Sequence, residues 1–177
     1  MRKRKNPSAA ARAPQTVSAT PFATLTPARI LDAVDSLGLR TDGRMLALNS
    51  YENRVYQIGL DDGSMVVAKF YRAGRWSDAA IGEEHAFVAE LAARELPVVA
   101  PLAFAGATLQ HHEELRFALY PRVGGRAPEL SDAHTLEWMG RFLGRIHAVG
   151  ALRRFEARPT LGIAEFGEAA RAYLLDH

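Results

Sequence analysis

The stretch VYQIGLDDGSMVVAKFY, residues 55–71, decides the fold that the sequence predicts. Two runs rich in apolar and β-branched residues flank the sequence Asp-Asp-Gly-Ser at 61–64, and an Asp-Gly pair between such runs is typical of a β-hairpin. Lys69 lies inside the second run, on the strand face that alternation also assigns to Val67 and Tyr71. The stretch therefore predicts two paired strands with a lysine inside an apolar surface.

Further strands and three helices are predicted around this hairpin. Apolar residues recur at helical spacing in three places, and short apolar runs indicate additional strands. The helices are expected over about 27–37, 77–96 and 132–149, and the strands over about 44–48, 102–104, 108–111 and 115–120. An order of helix, strands, helix, strands and helix is an α+β pattern built on a mainly antiparallel sheet.

The helix predicted over about 132–149 carries an apolar stripe. Four of its residues are expected to face the interior: Leu136, Met139, Leu143 and Ile146. His147 lies on the same helix face as Leu143, so we expect it to be packed and hydrogen-bonded. Gly140 and Gly144 lie about one turn apart, and we expect them to allow a close approach of another helix.

Composition divides the chain into four segments. Residues 1–21 have the composition of a disordered basic extension. Residues 22–120 contain the strand-rich unit, and the Gly-Gly pair within 121–127 predicts a linker. Residues 128–177 are then the start of a helical region. The predicted domain boundary therefore lies in the linker.

Composition also excludes several classes of protein. The 177 residues contain no cysteine, which excludes disulfides, zinc–thiolate sites and thiol nucleophiles. No apolar run approaches the ~20 residues needed to span a bilayer, and no apolar segment follows the basic start as in a secretory signal. The net charge of +2 indicates no nucleic-acid surface. We expect a cytoplasmic protein without a nucleic-acid or membrane partner.

Lys69 and Glu84 form a candidate ion pair. A lysine in an apolar strand must reach water or an anion, because burying an unpaired ammonium is costly. One interpretation is an edge-strand lysine that discourages aggregation. The other uses Glu84, fifteen positions later on the next predicted helix, since kinases aim a strand lysine at nucleotide phosphates with a helical glutamate. Glu83 is the rival partner, but Glu84 lies nearer the inward edge of the helix.

Two polar segments are candidates for contact with a nucleotide. The turn at 48–54 has no glycine-rich motif, but Asn49 and Ser50 offer hydroxyl, amide and backbone donors to phosphate oxygens. The segment 119–126 leaves a sheet edge with free backbone groups that can bind an adenine ring, although Pro121 removes one donor. An ordinary loop and an ordinary linker are the alternatives.

A metal site at His111 and His112 is not expected. Adjacent residues of a strand point to opposite faces of the sheet. The two imidazoles therefore cannot chelate one ion.

Seven blocks of sequence, taken in order, resemble the stress response kinases, which are bacterial serine/threonine kinases of the aminoglycoside-phosphotransferase-like group. The blocks are NSYENRVYQ (49–57), VAKFYR (67–72), RW (75–76), EEHAF (83–87), GGR (124–126), GRFLGRIH (140–147) and RPTLG (158–162). The resemblance covers about residues 22–166. It implies a two-lobed kinase fold that phosphorylates protein serine or threonine residues with ATP and magnesium, and a monomer when full length.

The resemblance also implies roles for individual residues. Ser50 would be the contact of the phosphate loop, Lys69 the phosphate-binding lysine and Glu84 its partner. The hinge that receives adenine would be residues 120–123, which include Tyr120, Arg122 and Val123.

The chain departs from the family pattern in one respect. The family carries an HGDxHxGN catalytic loop and a later aspartate-containing metal motif, and this sequence contains no His-Gly-Asp. The resemblance therefore implies an N-terminal portion, inactive alone, to which no catalytic or metal-binding residue is assigned. Two alternatives stay open. One is a small-molecule phosphotransferase acting on an aminoglycoside, choline or homoserine, and the other is a non-catalytic nucleotide-binding or regulatory module.

Overall fold

The computed structural model describes residues 22–176, so the predicted disordered extension at 1–21 lies outside the described residues. The elements, in chain order, are α1 (Pro27–Asp35), β1 (Thr41–Leu48), β2 (Arg54–Leu60), β3 (Met65–Phe70), α2 (Asp78–Ala93), β4 (Gln110–His112), β5 (Leu115–Pro121) and α3 (Ala133–Gly150), and then a π-helical turn (Ala164–Glu168) that runs into α4 (Ala169–Asp176). The strands form one antiparallel sheet in the order β1-β2-β3-β5-β4. The predicted α+β class is confirmed. Within the described residues no helix is both long and apolar enough to cross a bilayer.

The β2–β3 hairpin forms as the sequence predicts. Gly63 adopts a φ of 83° in the connecting turn, a conformation that glycine reaches without steric cost. The backbone N–H of Leu60 donates to the carbonyl of Ser64 at 2.9 Å, and the Asp62 carboxylate accepts from the N–H of Ser64 at 2.8 Å. These bonds fix the register that pairs Val55 with Lys69.

One face of the sheet, the α1 face, is covered by α1 and is wholly apolar at its centre. Thr26 caps α1 by accepting from the N–H of Arg29, and Pro27 occupies the first turn, where its missing donor costs nothing. The buried residues of this face come from α1 and from alternate positions of three strands: Ile30, Ala33, Val34, Ile58, Leu60, Val66, Ala68, Phe70, Leu115, Phe117 and Leu119. The α1 face is therefore the main hydrophobic core.

The opposite face, the α2 face, is covered by α2 and mixes apolar with polar groups. Ser77 caps α2 and accepts from the N–H of Ala80 at 3.1 Å. Tyr71, Ile81 and Ala118 are buried there, with Trp76 and other partly buried residues packed against them. Lys69 lies on this face, as alternation along β3 predicts, because Val66, Ala68 and Phe70 point the other way.

One predicted strand is absent, and several element boundaries differ from the sequence prediction, such as β1, which begins at Thr41, and β4, which covers Gln110–His112. The strand predicted at 102–104 is wrong, because the chain there makes an isolated bridge between Phe104 and Ala107. Ala105 and Gly106 between them have φ values of 49° and 82°, which close a tight turn instead of extending a strand. The helix predicted to reach Leu96 ends at Ala93, since Glu95 has a φ of 58°.

The predicted inward face of α3 is largely wrong. Leu136 and Leu143 are 49% and 53% exposed, and His147 is exposed. Apart from the neighbouring residues and backbone of α3 itself, no described atom comes within 4 Å of a Cβ built on Gly140 or Gly144. The reason is that α3 is covered mainly at its last turns, where Ile146 and Val149 pack against Phe87 and Leu91 of α2 and against Leu96, which follows α2.

Candidate nucleotide-binding site

Lys69 and Glu84 form the predicted ion pair on the α2 face. The ammonium lies 3.0 Å from Glu84 Oε1, with 23% and 32% of the two side chains exposed. The same ammonium lies 4.8 Å from the centroid of the Tyr71 ring. Because β3 lies between β2 and β5, the interpretation of Lys69 as an edge-strand lysine is wrong. Glu84, and not Glu83, is its partner.

Arg158, to which the sequence analysis assigned no role, holds the second carboxylate oxygen of Glu84. The guanidinium Nη2 of Arg158 contacts Glu84 Oε2, and its Nε donates to the carbonyl of Ala80 at 3.1 Å. The guanidinium also stacks over Trp76 at 4.5 Å from the ring centroid. The only indication in the sequence was that Arg158 begins the block RPTLG (158–162), which resembles a kinase family.

Glu83 binds the loop that carries Arg158. Its carboxylate accepts the backbone N–H groups of Glu156, of Ala157 at 3.0 Å and of Arg158 at 3.1 Å. These backbone hydrogen bonds, that of Glu156 first, lower the pKa of Glu83 below its usual range. The two adjacent glutamates of α2 thus hold the same loop, one by its backbone and one by a side chain.

The turn between β1 and β2 lies beside the ion pair. The turn ends at Asn53, and the next residue, Arg54, begins β2. Arg54 pairs with Phe70, which is the residue after Lys69 in β3. The hydroxyl of Ser50 donates to the carbonyl of Asn53 at 2.8 Å, so this hydroxyl closes the turn. The backbone donors of the turn therefore lie near the Lys69 end of β3.

Glu52, in the same turn, ties it to the β3–α2 loop. Its carboxylate accepts from Arg75 Nε at 2.8 Å and from the indole N–H of Trp76 at 2.7 Å. The hydrogen bond from Arg75 lowers the pKa of Glu52. Sequence reasoning assigned no role to these three residues, although each lies in a family-like block.

The predicted hinge begins at the other end of the face. Tyr120 pairs with Val67 and Pro121 with Val66, so β5 extends one residue further than predicted. Arg122 Nε approaches the side-chain oxygen of Gln57 at 3.4 Å, and Val123 is 65% exposed. Arg122 and Val123 are thus open to solvent, while Tyr120 packs on the α2 face.

A buried polar network fixes α2 on the sheet. His85, 3% exposed, lies with Nε2 2.7 Å from the Tyr71 hydroxyl and Nδ1 2.8 Å from the Thr108 hydroxyl. The Tyr120 hydroxyl lies 3.4 Å from that of Tyr71. Burial lowers the pKa of His85 and raises that of Tyr71. Since His85 follows Glu84 in α2, this network orients the helix so that Glu84 meets Lys69.

The α2 face combines a cation with an apolar surface near the C-terminal end of β5. Two partly exposed apolar residues lie on the α2 face beside Lys69. They are Val55, which is the cross-strand partner of Lys69, and Val67. Lys69 lies three residues along β3 from the position opposite Pro121, which is about 10 Å at ~3.3 Å per residue. A flat apolar ring near the strand end and an anion near Lys69 can therefore belong to one extended molecule.

A metal site is not part of this arrangement. In the range 22–176 no group of three or more His, Asp or Glu side chains could hold a metal ion. The Lys69–Glu84 pair therefore lies in a described region without a cluster of three such ligands.

Comparison with known proteins defines the class. Residues 45–177 match the model of the phosphotransferase enzyme family, APH. Because that match covers most of the chain, the chain belongs to the phosphotransferase enzyme family. The aminoglycoside-phosphotransferase-like resemblance that the sequence blocks predicted is thereby confirmed.

The chain is also similar in sequence to individual curated kinases. The chain is 48% identical over 145 residues to stress response kinase A of Salmonella choleraesuis, and the alignment covers 82% of this chain and 44% of the relative. The same identity and coverage relate it to serine/threonine protein kinase RdoA of Salmonella typhimurium. Stress response kinase A of Escherichia coli K12 is 46% identical over 149 residues, 84% of this chain and 45% of the relative. The chain thus spans less than half the length of these relatives.

A solved structure shares the fold. The structure of amicoumacin kinase hAmiN in complex with AMP-PNP, Ca2+ and Ami matches with a TM-score of 0.64 at 18% identity, covering 78% of this chain and 45% of that chain. The likeness supports the kinase-like α+β fold of the described residues.

Proposed function

We propose that this chain supplies the ATP-binding unit of a serine/threonine protein kinase of the stress response type. The observation that carries the proposal is the Lys69–Glu84 ion pair, held on the α2 face between the β1–β2 turn and the C-terminal end of β5. A lysine held by a helical glutamate is the arrangement that kinases use to orient nucleotide phosphates. The curated relatives, named as kinases of this type, support it.

The proposed roles follow the order of groups along the face. The Lys69 ammonium binds phosphate oxygens, and Glu84 fixes its position. Ser50 contributes through its turn, and the backbone around Tyr120 offers donors and acceptors to adenine. Arg122 and Val123 lie just beyond, where they border the base and sugar.

Magnesium enters this proposal only with the nucleotide. The described residues contain no cluster that could hold a metal ion, so no step is assigned to a metal held by them. We expect Mg2+ to neutralise phosphate charge in the complex, as in other phosphoryl-transfer enzymes. The catalytic base is not assigned to any residue of this chain.

The proposal is tested by modification with an acyl-phosphate derivative of ATP, which acylates a lysine close to bound phosphates. Lys69 is the only lysine after residue 5, so peptide mapping identifies the modified site without ambiguity. We expect labelling of Lys69 that excess ATP suppresses and excess adenosine suppresses less. Labelling that ATP does not suppress would contradict the proposal.

The affinity of the chain for ATP provides a second test of the same site. Lys69→Ala should weaken ATP binding at least about tenfold in titration calorimetry, because one charge-assisted contact with the phosphates is lost. Arg44→Ala is the control, since it removes a cation whose partner is Asp42 in the same strand. Equal affinities of the two variants would count against nucleotide binding at Lys69.

A small-molecule acceptor is the alternative activity, and a protein acceptor is preferred because the relatives named for protein phosphorylation are 48% identical. Transfer of labelled phosphate by the full-length gene product, offered either a protein mixture or aminoglycoside, choline and homoserine, separates the two. A monomeric state and a cytoplasmic location stay predictions from the sequence.

A further inference from the structure

The Glu84 carboxylate is shared between two cations. Lys69 occupies Oε1 at 3.0 Å, and Arg158 occupies Oε2. The three side chains are each between 23% and 32% exposed, so their charges are only partly screened by solvent. Two positive charges against one negative charge leave the group with a net charge of +1.

Arg158 is held in this position by more than one contact. Its Nε donates to the carbonyl of Ala80, and its guanidinium stacks on Trp76. Trp76 is itself fixed, because its indole N–H donates to Glu52. A planar guanidinium can satisfy the carboxylate, the carbonyl and the ring together, and a lysine cannot. This geometry differs from that of a mobile surface ion pair.

We propose that Arg158 is a positioning residue of the nucleotide site: by taking one oxygen of Glu84, it keeps the Lys69 ammonium from being fully neutralised. The inference rests on the proposed function of Lys69. With Arg158 present, the group attracts an anion with one net positive charge. Without Arg158, the Glu84 carboxylate pairs only with Lys69. The resulting pair has no net charge and attracts phosphate less.

The same contact links two distant parts of the chain. The loop at 156–158 is bound through its backbone to Glu83, and through Arg158 to Glu84. A displacement of this loop would withdraw the guanidinium from the carboxylate. The charge at Lys69 therefore depends on a segment that follows α3, more than seventy residues later in the sequence.

The test compares three variants of the full-length gene product by titration calorimetry with ATP and with adenosine. Arg158→Gln removes the charge, and Arg158→Lys keeps it without the fork of donors. Arg153→Gln is the matched control, because Arg153 lies in the same loop and pairs at 3.1 Å with Glu90, further along the same helix. Thermal melting of each variant reports folding.

We expect Arg158→Gln to weaken ATP binding about tenfold at low salt, as the loss of one charge close to the phosphates should do. The difference should shrink as salt is raised. Adenosine binding should be unchanged, Arg158→Lys should recover part of the ATP affinity, and Arg153→Gln should stay close to the unmodified protein.

Three results would overturn the inference. The first is an ATP affinity of Arg158→Gln equal to that of Arg153→Gln. The second is an equal loss of ATP and adenosine affinity, which would give Arg158 a merely structural role. The third is an Arg158→Lys variant as weak as Arg158→Gln. If Lys69→Ala also leaves ATP affinity unchanged, the proposed function fails as well, whereas a weakened Lys69→Ala confines the failure to Arg158.

Discussion

The two faces of the sheet differ in what they bury. The α1 face buries aliphatic and aromatic side chains, with Phe70 and Phe117 stacked at a centroid distance of 5.4 Å. The α2 face buries His85 and Tyr71 and carries the Lys69–Glu84 pair at its margin. Among the described residues no buried side-chain nitrogen or oxygen lacks a hydrogen-bond partner. The α1 face therefore provides most of the stability of the fold. The α2 face can accordingly contain charged and polar groups that contribute less to stability.

Removing an aromatic ring from the α1 face should have the largest effect on stability. Phe117 is fully buried, so Phe117→Ala should lower the free energy of unfolding by about 3–5 kcal/mol. Lys69→Ala on the α2 face should change it by about 1 kcal/mol or less, because a partly exposed ion pair contributes little. Urea unfolding of both variants makes the comparison. A similar decrease in the free energy of unfolding for both variants would show that the two faces contribute equally to stability.

A pH series sharpens the comparison at His85. Burial lowers its pKa below 6.5 in the fold, so the unfolded chain binds a proton more readily near that pH. Stability should then fall as the pH is lowered through about 6.5, because protonation favours the unfolded state. The charged and titratable groups around His85 are Tyr71, Tyr120, Glu84, Lys69 and Arg158.

The matched variant is His85→Gln, which cannot titrate in this range. Its free energy of unfolding should be lower than that of the unmodified protein at pH 7.5 and should change less between pH 7.5 and pH 5.5. Urea unfolding at each pH gives both quantities. An unchanged slope would mean that another group causes the acid sensitivity.

The smallest effect is expected at the edge of the α2 face, in the pair of Glu52 with Arg75. The Arg75 side chain is 50% exposed, so solvent screens the attraction. A double-mutant cycle of Glu52→Gln and Arg75→Gln should give a coupling energy of about 0.2–1 kcal/mol. A coupling well above this range would indicate that the β1–β2 turn is held more rigidly than a surface loop.

Local patterns predicted the parts of the fold that depend on neighbouring residues. The hairpin followed from an Asp-Gly turn between apolar runs, and the ion pair from a strand lysine with a glutamate one helix later. The α3 face was predicted wrongly because periodicity identifies an apolar stripe but not what covers it. Leu136 and Leu143 accordingly remain exposed in the described structure.

Arg158 could not be predicted as part of the site for a related reason. Its contact with Glu84 joins positions 74 residues apart, and no local rule indicates which of nineteen arginines reaches a given carboxylate. Glu83 was considered only as a rival partner for Lys69. Its observed role, binding backbone N–H groups, leaves no trace in residue type at 156 and 157.

That last feature constrains how related sequences can vary. Glu83 receives main-chain donors, so any residue other than proline can follow Glu156 without disturbing the attachment. The number of residues between Gly150 and Arg158 is different, because an insertion or deletion there would move the guanidinium away from α2. Among homologues we therefore expect the length of this short connection to stay constant, while the side chains at 156 and 157, which bind Glu83 through their backbone, vary.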